Sequence, residues 1–146
     1  MSPDVLHRET FAVHGNDFEH GGNVAAAIKA TLRELGIASD AIRRLSIANF
    51  EAEMNVIMYA RRAEFLFTIT PDVIRVVVTD EGPGIPDIEW AMQEGHSTAT
   101  AEMRERGFGA GLGLPNIRKN SDEFAIESTV GTGTTLRYAV RISPGA

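Results

Sequence analysis

The sequence predicts a two-layer α+β domain, a mixed β-sheet carrying helices on one face. Three observations lead there. Apolar residues recur at helical spacing in two long stretches before residue 60. Two pairs of short apolar runs follow, each pair joined by turn residues, as in hairpins. The resulting order, β-α-α-β-β-α-α-β-β, has no regular alternation of strand and crossover helix, which suits a sheet covered on one side. With 146 residues the chain is expected to be one domain, 1–146, around a single core.

Each element has a local reason. Residues 5–13 alternate loosely and are expected to form an edge strand, and the polar, glycine-containing stretch from His14 to Gly22 reads as a loop. Asn23 is a suitable N-cap for a helix over 24–35, with Val24, Ile28, Leu32 and Leu35 on one face and Gly36 as the stop. Ser39 or Asp40 opens a longer helix to about Ala60, its period marked by Ile42, Leu45, Ala48, Ala52, Val56 and Tyr59. Glu64–Thr70 and Val73–Thr79 form a hairpin around Pro71–Asp72. The second run is so rich in β-branched residues that it is expected to be central and buried on both faces. Ile88–Gln93 reads as a short helix, Leu114–Asn120 as another, and Glu123–Ser128 with Thr134–Ile142 as a closing hairpin around Gly131–Thr132–Gly133.

Composition removes several function classes. The net charge of −6 and the lack of a basic stretch argue against nucleic acid as a partner. No apolar run approaches the ~20 residues that span a bilayer, and the polar start Ser2–Pro3–Asp4 does not read as a signal peptide. There is no Cys, so no disulfide or thiolate metal site, and this fits a cytoplasmic setting. His7, His14, His20 and His96 show no metal-ligand spacing. Of the 14 basic residues only Lys29 and Lys119 are lysines, and neither lies in a P-loop or a kinase-type V-A-I-K strand.

Three segments carry chemistry. Glu51 and Asn55 are four apart on the long helix and share a face. An Asn can give Mg²⁺ one neutral oxygen, and a Glu one turn earlier can polarise a hydroxyl, although a solvated helix face would show the same spacing. Glu53 points elsewhere and is expected at the surface. Asp80 ends an apolar strand and is followed by Gly82 and Gly84, which allow close approach of a flat ligand; an adenine amino group would satisfy the carboxylate, and an ordinary turn is the alternative. Gly107, Gly109, Gly111 and Gly113 alternate before a helix, exposing backbone N–H groups to phosphate. This is not the dinucleotide fingerprint, since Leu112 and Leu114 stand where glycine is needed. Arg104 and Arg106 are placed to reach a terminal phosphate or simply to be solvated.

In this order the segments resemble the GHKL superfamily of ATP-binding domains, with Glu51–Asn55 as its N box, Asp80–Gly84 and Gly107–Gly113 as its two glycine boxes, and Gly133–Thr134 as its later Gly-Thr. The resemblance covers about residues 20–142 and implies the Bergerat fold, with ATP and Mg²⁺ as ligands. Asn55 would be the metal ligand and Glu51 the catalytic carboxylate. Asp80, Gly82, Gly84 and Thr134 would hold adenine. Ser97, Thr98, Arg106, Gly107, Gly109, Gly111, Leu112 and Gly113 would line the phosphates, and Glu94–Gly113 would form a lid. Sensor histidine kinases usually carry Asn or His four residues before the metal-binding Asn, and often a basic residue three after it; here those positions are Glu51 and Met58. Gyrase-like and Hsp90-like members share the Glu but have further domains that 146 residues cannot hold.

The chain therefore resembles most the small anti-sigma-factor serine/threonine kinases. Within that branch, Asp80–Pro86, Ser97–Thr98, Gly111–Pro115 and Asp122–Glu123–Phe124 look like the stressosome switch-kinase type, and Ala99–Arg106 is longer than expected there. The implied partner is a STAS-type anti-sigma-factor antagonist, with a sigma factor or a PP2C-type phosphatase as further candidates. A nucleotide-gated binding module and a detached histidine-kinase ATP-binding domain are the alternatives.

Overall fold

The computed structural model describes residues 4–93 and 113–142. Five strands, β1 (His7–His14), β2 (Arg62–Ile69), β3 (Val73–Glu81), β4 (Glu123–Thr129) and β5 (Gly133–Arg141), form one sheet in the order β1-β2-β3-β5-β4. Helices α1 (Asn23–Glu34), α2 (Ser39–Tyr59), α3 (Ile88–Ala91) and α4 (Gly113–Lys119) complete the described elements, with one 3₁₀ turn at Phe18–His20. Helix α2 packs between α1 and α4 and lies over β1, β2 and β5. The α+β two-layer reading holds, but the sheet is not mixed: every described pairing is antiparallel. β4 does run in the direction of β3, but β5 lies between them, so no parallel neighbours meet.

Element boundaries follow the sequence periods closely, and β1 is the expected edge strand. Ile28, Leu32, Leu45, Ala48, Phe65, Phe67, Ile74 and Val76 are fully buried and form the centre of the core between helices and sheet. Two expectations fail. Leu35 is at the C-cap of α1 and exposed, because the helix ends before its apolar face returns to the core. β3 is central but buried on one face only: Ile74, Val76 and Val78 point to the core, while Val77 is half-buried between Leu66 and Arg137 on the open face. That open face carries the ion pairs Arg62–Glu81, Arg75–Glu123 and Arg137–Glu127, whose aliphatic stems cover the sheet, and no helix among the described residues packs there.

The core face also sets where polar groups gather. Strand side chains alternate, so Val76, Val78 and Asp80 lie in phase, as do Phe124, Ile126 and Ser128, and Tyr138, Leu136 and Thr134. The pairing Val78↔Leu136 and Leu136↔Ile126 makes an apolar row. One step on, Ala63↔Asp80 and Thr134↔Ser128 continue it as a polar row at the end of the core.

Candidate functional site

The polar row is hydrogen-bonded across three strands. Thr134 N–H donates to Asp80 Oδ1 at 3.0 Å. The Thr134 and Ser128 hydroxyls are 2.8 Å apart, and Ile85 N–H donates to Ser128 Oγ at 2.7 Å. The half-buried Asp80 carboxyl is pushed above its ordinary value by desolvation, partly offset by the Thr134 N–H. Among the described residues no donor reaches Asp80 Oδ2, so one oxygen is held and the other can accept from a ligand.

Glycines make this packing possible. At Gly133 an added Cβ would fall 2.0 Å from the Asp80 carbonyl oxygen, so only glycine lets β5 approach β3 at this point. Gly84 has φ +76° and would place a Cβ 2.5 Å from the Thr129 carbonyl oxygen. Gly82 sits between Asp80 and Ala60, with its N–H on Thr132 O at 3.2 Å.

The second group lies on α2. Glu51 and Asn55 face the first turn of α4: a Cβ on Gly113 would come 3.1 Å from Asn55 Oδ1, 3.3 Å from its Nδ2 and 3.4 Å from Glu51 Oε2. The absent side chain thus keeps a carboxylate and an amide open to one space. Burial pushes the Glu51 carboxyl up, and a hydrogen bond with Asn116 pulls it partly back. Asn116 escaped the sequence reading, although it is three residues from Gly113 and so on the same helical face.

Ala60, which Gly82 touches, lies roughly 8 Å along the helix axis from Asn55 and roughly 14 Å from Glu51, at 1.5 Å per residue. Acceptor, amide and carboxylate are therefore strung out in that order. Among the described residues no three His, Asp or Glu side chains gather as a metal site. Asn55 can contribute one neutral oxygen, and the remaining ligands of a Mg²⁺ would be phosphate oxygens and water. The residues fit such a group on this count. Ser97, Thr98, Arg104, Arg106, Gly107, Gly109, Gly111, Leu112 and the expected lid, apart from Gly113, lie outside the described residues.

Glu53 was misplaced by the sequence. Its side chain is 1% exposed and accepts from Gly22 N–H at 3.0 Å, Val24 N–H at 3.2 Å and Ala25 N–H at 2.9 Å. The N-cap of α1 is accordingly Gly22, in a left-handed conformation, rather than Asn23, because the capping oxygen comes from α2. Beside it on α2, buried Asn49 accepts a hydrogen bond from the Tyr138 hydroxyl.

Comparison with known proteins bears on the family and the fold. A model of the family described as the histidine kinase-like ATPase domain matches residues 16–140. The chain belongs to this family. It is 31% identical over 109 residues to the serine/threonine-protein kinase RsbT of Bacillus subtilis (strain 168), covering 72% of this chain and 76% of that protein. It is 33% identical over 117 residues to the anti-sigma F factor of Caldanaerobacter subterraneus subsp. tengcongensis, covering 77% and 74% respectively. The catalytic domain of the histidine kinase ThkA, in a nucleotide-free form, superposes with a TM-score of 0.57 at 18% identity, over 96% of this chain and 99% of that one; this likeness concerns the fold. No helix among the described residues is long and apolar enough to cross a membrane.

Proposed function

We propose that this chain is an ATP-dependent serine/threonine protein kinase acting on a STAS-type anti-sigma-factor antagonist in a bacterial cytoplasmic partner-switching pathway. The observation that carries the reading is the half-buried Glu51 carboxylate, one helical turn from Asn55 and facing the same Gly113. Binding nucleotide alone does not need a carboxylate there. Asp80 Oδ2 accepts the adenine amino group, with Thr134 holding Oδ1 and Gly82 and Gly84 shaping the pocket. Asn55 would hold Mg²⁺ through its amide oxygen, and the ion would supply charge neutralisation at the phosphates. Glu51 orients the incoming hydroxyl and takes its proton, and Asn116 fixes the carboxylate for that role. Positioning and charge neutralisation supply most of the acceleration in phosphoryl transfer.

The anti-sigma F factors among its relatives support a second reading, a module whose nucleotide site sets its grip on a sigma factor. A PP2C-type phosphatase is the third partner class to test. Incubating the chain with γ-labelled ATP and a STAS partner recovered by co-purification separates these readings. Acid-stable phosphate on a partner Ser or Thr is the expected result. Acid-labile phosphate would mark a histidine kinase, and binding without transfer would mark the module.

A further inference from the structure

A nucleotide held by Asp80 and Asn55 runs along α2 toward its N-terminal end and reaches Glu51 last. In-line transfer brings the incoming oxygen to the γ-phosphorus from the side away from the bridging oxygen. The new O–P bond forms as the bond to ADP breaks, ADP leaves with that electron pair, and the hydroxyl proton passes to Glu51. The segment that carries the hydroxyl must therefore lie over the turn of α2 just before Glu51. Two apolar side chains stand there. Phe50 is 43% exposed, the most exposed large apolar side chain of α2. Ile47, four residues before Glu51 and on the same face, is half-buried. Phe50 is backed from one side: a Cβ added to Gly22 would lie 3.6 Å from its Cε1 and 3.9 Å from its Cδ1, so the ring lies over side-chain-free Gly22. Gly22 is itself fixed, its N–H donating to Glu53 Oε2 at 3.0 Å. The cations on the same stretch of helix are paired within the chain, Arg43 with Asp40 at 2.8 Å and Arg44 with Asp122 at 3.1 Å. What this turn offers a partner is apolar area, not net charge.

We infer that Phe50, with Ile47, anchors the hydroxyl-bearing segment of the protein substrate, a Ser or Thr segment that carries an apolar side chain two residues from the accepting hydroxyl. This inference rests on the kinase reading above. The spacing follows from the helix. Ile47 and Glu51 are roughly 6 Å apart along the axis, and Phe50 lies between them. In an extended segment, residues two apart point to the same side and stand roughly 6–7 Å from each other. A hydroxyl at Glu51 therefore puts the side chain two positions away over Ile47 and Phe50. A charged side chain there would be desolvated against the ring without a partner, and this is the source of discrimination among hydroxyl-bearing segments. Phe50 touches neither the nucleotide nor the reacting hydroxyl in this scheme; it selects the segment.

The test uses the partner protein that takes acid-stable label from γ-labelled ATP, with steady-state transfer followed over its concentration at saturating Mg-ATP. Phe50→Ala should raise KM for that partner about 10- to 30-fold, as truncation of an interface anchor does, with kcat and calorimetric Mg-ATP affinity unchanged. Phe50→Leu should recover most of the loss, and Phe50→Asp should exceed the alanine effect. Replacing the partner's apolar residue two positions from the labelled hydroxyl by Asp should raise KM with the wild type and add little with Phe50→Ala. An unchanged KM in Phe50→Ala overturns the inference. So does a fall in kcat with KM intact, which would mean that Phe50 only shapes the helix around Glu51. A dimer that Phe50→Ala turns into a monomer, with KM unmoved, would assign the ring to a second copy of this chain instead. Should the alanine variant not fold, Ile47→Thr, which keeps the branched shape and adds a hydroxyl, gives the same split of KM from kcat. No labelled partner at all removes the kinase reading, and the inference with it. Labelling with an unmoved KM removes the inference alone.

Discussion

Glu51 and Glu53 are two residues apart on α2, point about 200° apart around the helix, and have opposite fates. Glu53 is fully buried, and backbone N–H groups of α1 and its approach saturate it at 2.9–3.2 Å. Glu51 is half-buried, has Asn116 as its side-chain partner among the described residues, and is pushed toward its neutral form by desolvation. A carboxylate whose oxygens are all engaged by backbone is a structural cap. One that is desolvated without full compensation carries a cost in stability, and the proposed function gives that cost a use as the catalytic carboxylate.

That contrast is broken or sharpened first by rate. If Glu51 takes the proton of the incoming hydroxyl, Glu51→Gln should lower phosphoryl transfer by about 10²–10⁴-fold while Mg-ATP binding persists. A single-turnover assay measures it, and wild-type transfer would make Glu51 an ordinary surface carboxylate. Next comes stability. Glu53→Ala strips the cap from α1 and should cost roughly 2–4 kcal/mol, the loss of several charge-assisted bonds at a helix start. Urea unfolding should show the midpoint falling, with faster hydrogen exchange over residues 22–25. A midpoint that does not move would mean those N–H groups find water as readily.

How much of this contrast could be read in the chain differs between the two residues. The pair Glu51/Asn55 is visible because i,i+4 spacing is local, and so is Asp80, which stands at the end of a β-branched run. Glu53 is invisible to local reading: its partners are some 30 residues earlier, and no period announces that a helix start will arrive at that spot. Asn23 looked like the cap for the same reason. Ser128 was within reach, since it continues the alternation of Phe124 and Ile126, but its significance needs the register that sets it beside Thr134. The valines of β3 misled because a run of β-branched residues looks the same whether its second face meets helices or the stems of Arg75 and Arg137.

The smallest expected effect is the most diagnostic of stored cost. Because the folded state raises the Glu51 pKa, its contribution to stability is full below the ordinary value of 4.5 and is lost as pH rises through the raised folded value. Glu51→Gln cannot ionise, so at neutral pH it should be slightly more stable than wild type, within about 0.5 kcal/mol, and the gain should vanish in acid. Transfer by the wild type should rise over the same pH interval, since the base must be ionised. Melting curves of the two proteins from pH 4 to pH 8 test the sign, and a variant less stable than wild type at neutral pH would show that Glu51 is stabilising where it stands.

The central claim is that the row ending in Asp80 is an adenine site. Titration calorimetry of Mg-ATP into wild type and Asp80→Asn tests it most directly. The wild type should bind, and the variant, folded by circular dichroism, should lose about 1.5–3 kcal/mol of binding free energy, the worth of a desolvated hydrogen bond to a charged acceptor. Equal affinity in the two proteins would take Asp80 out of the site and contradict the account.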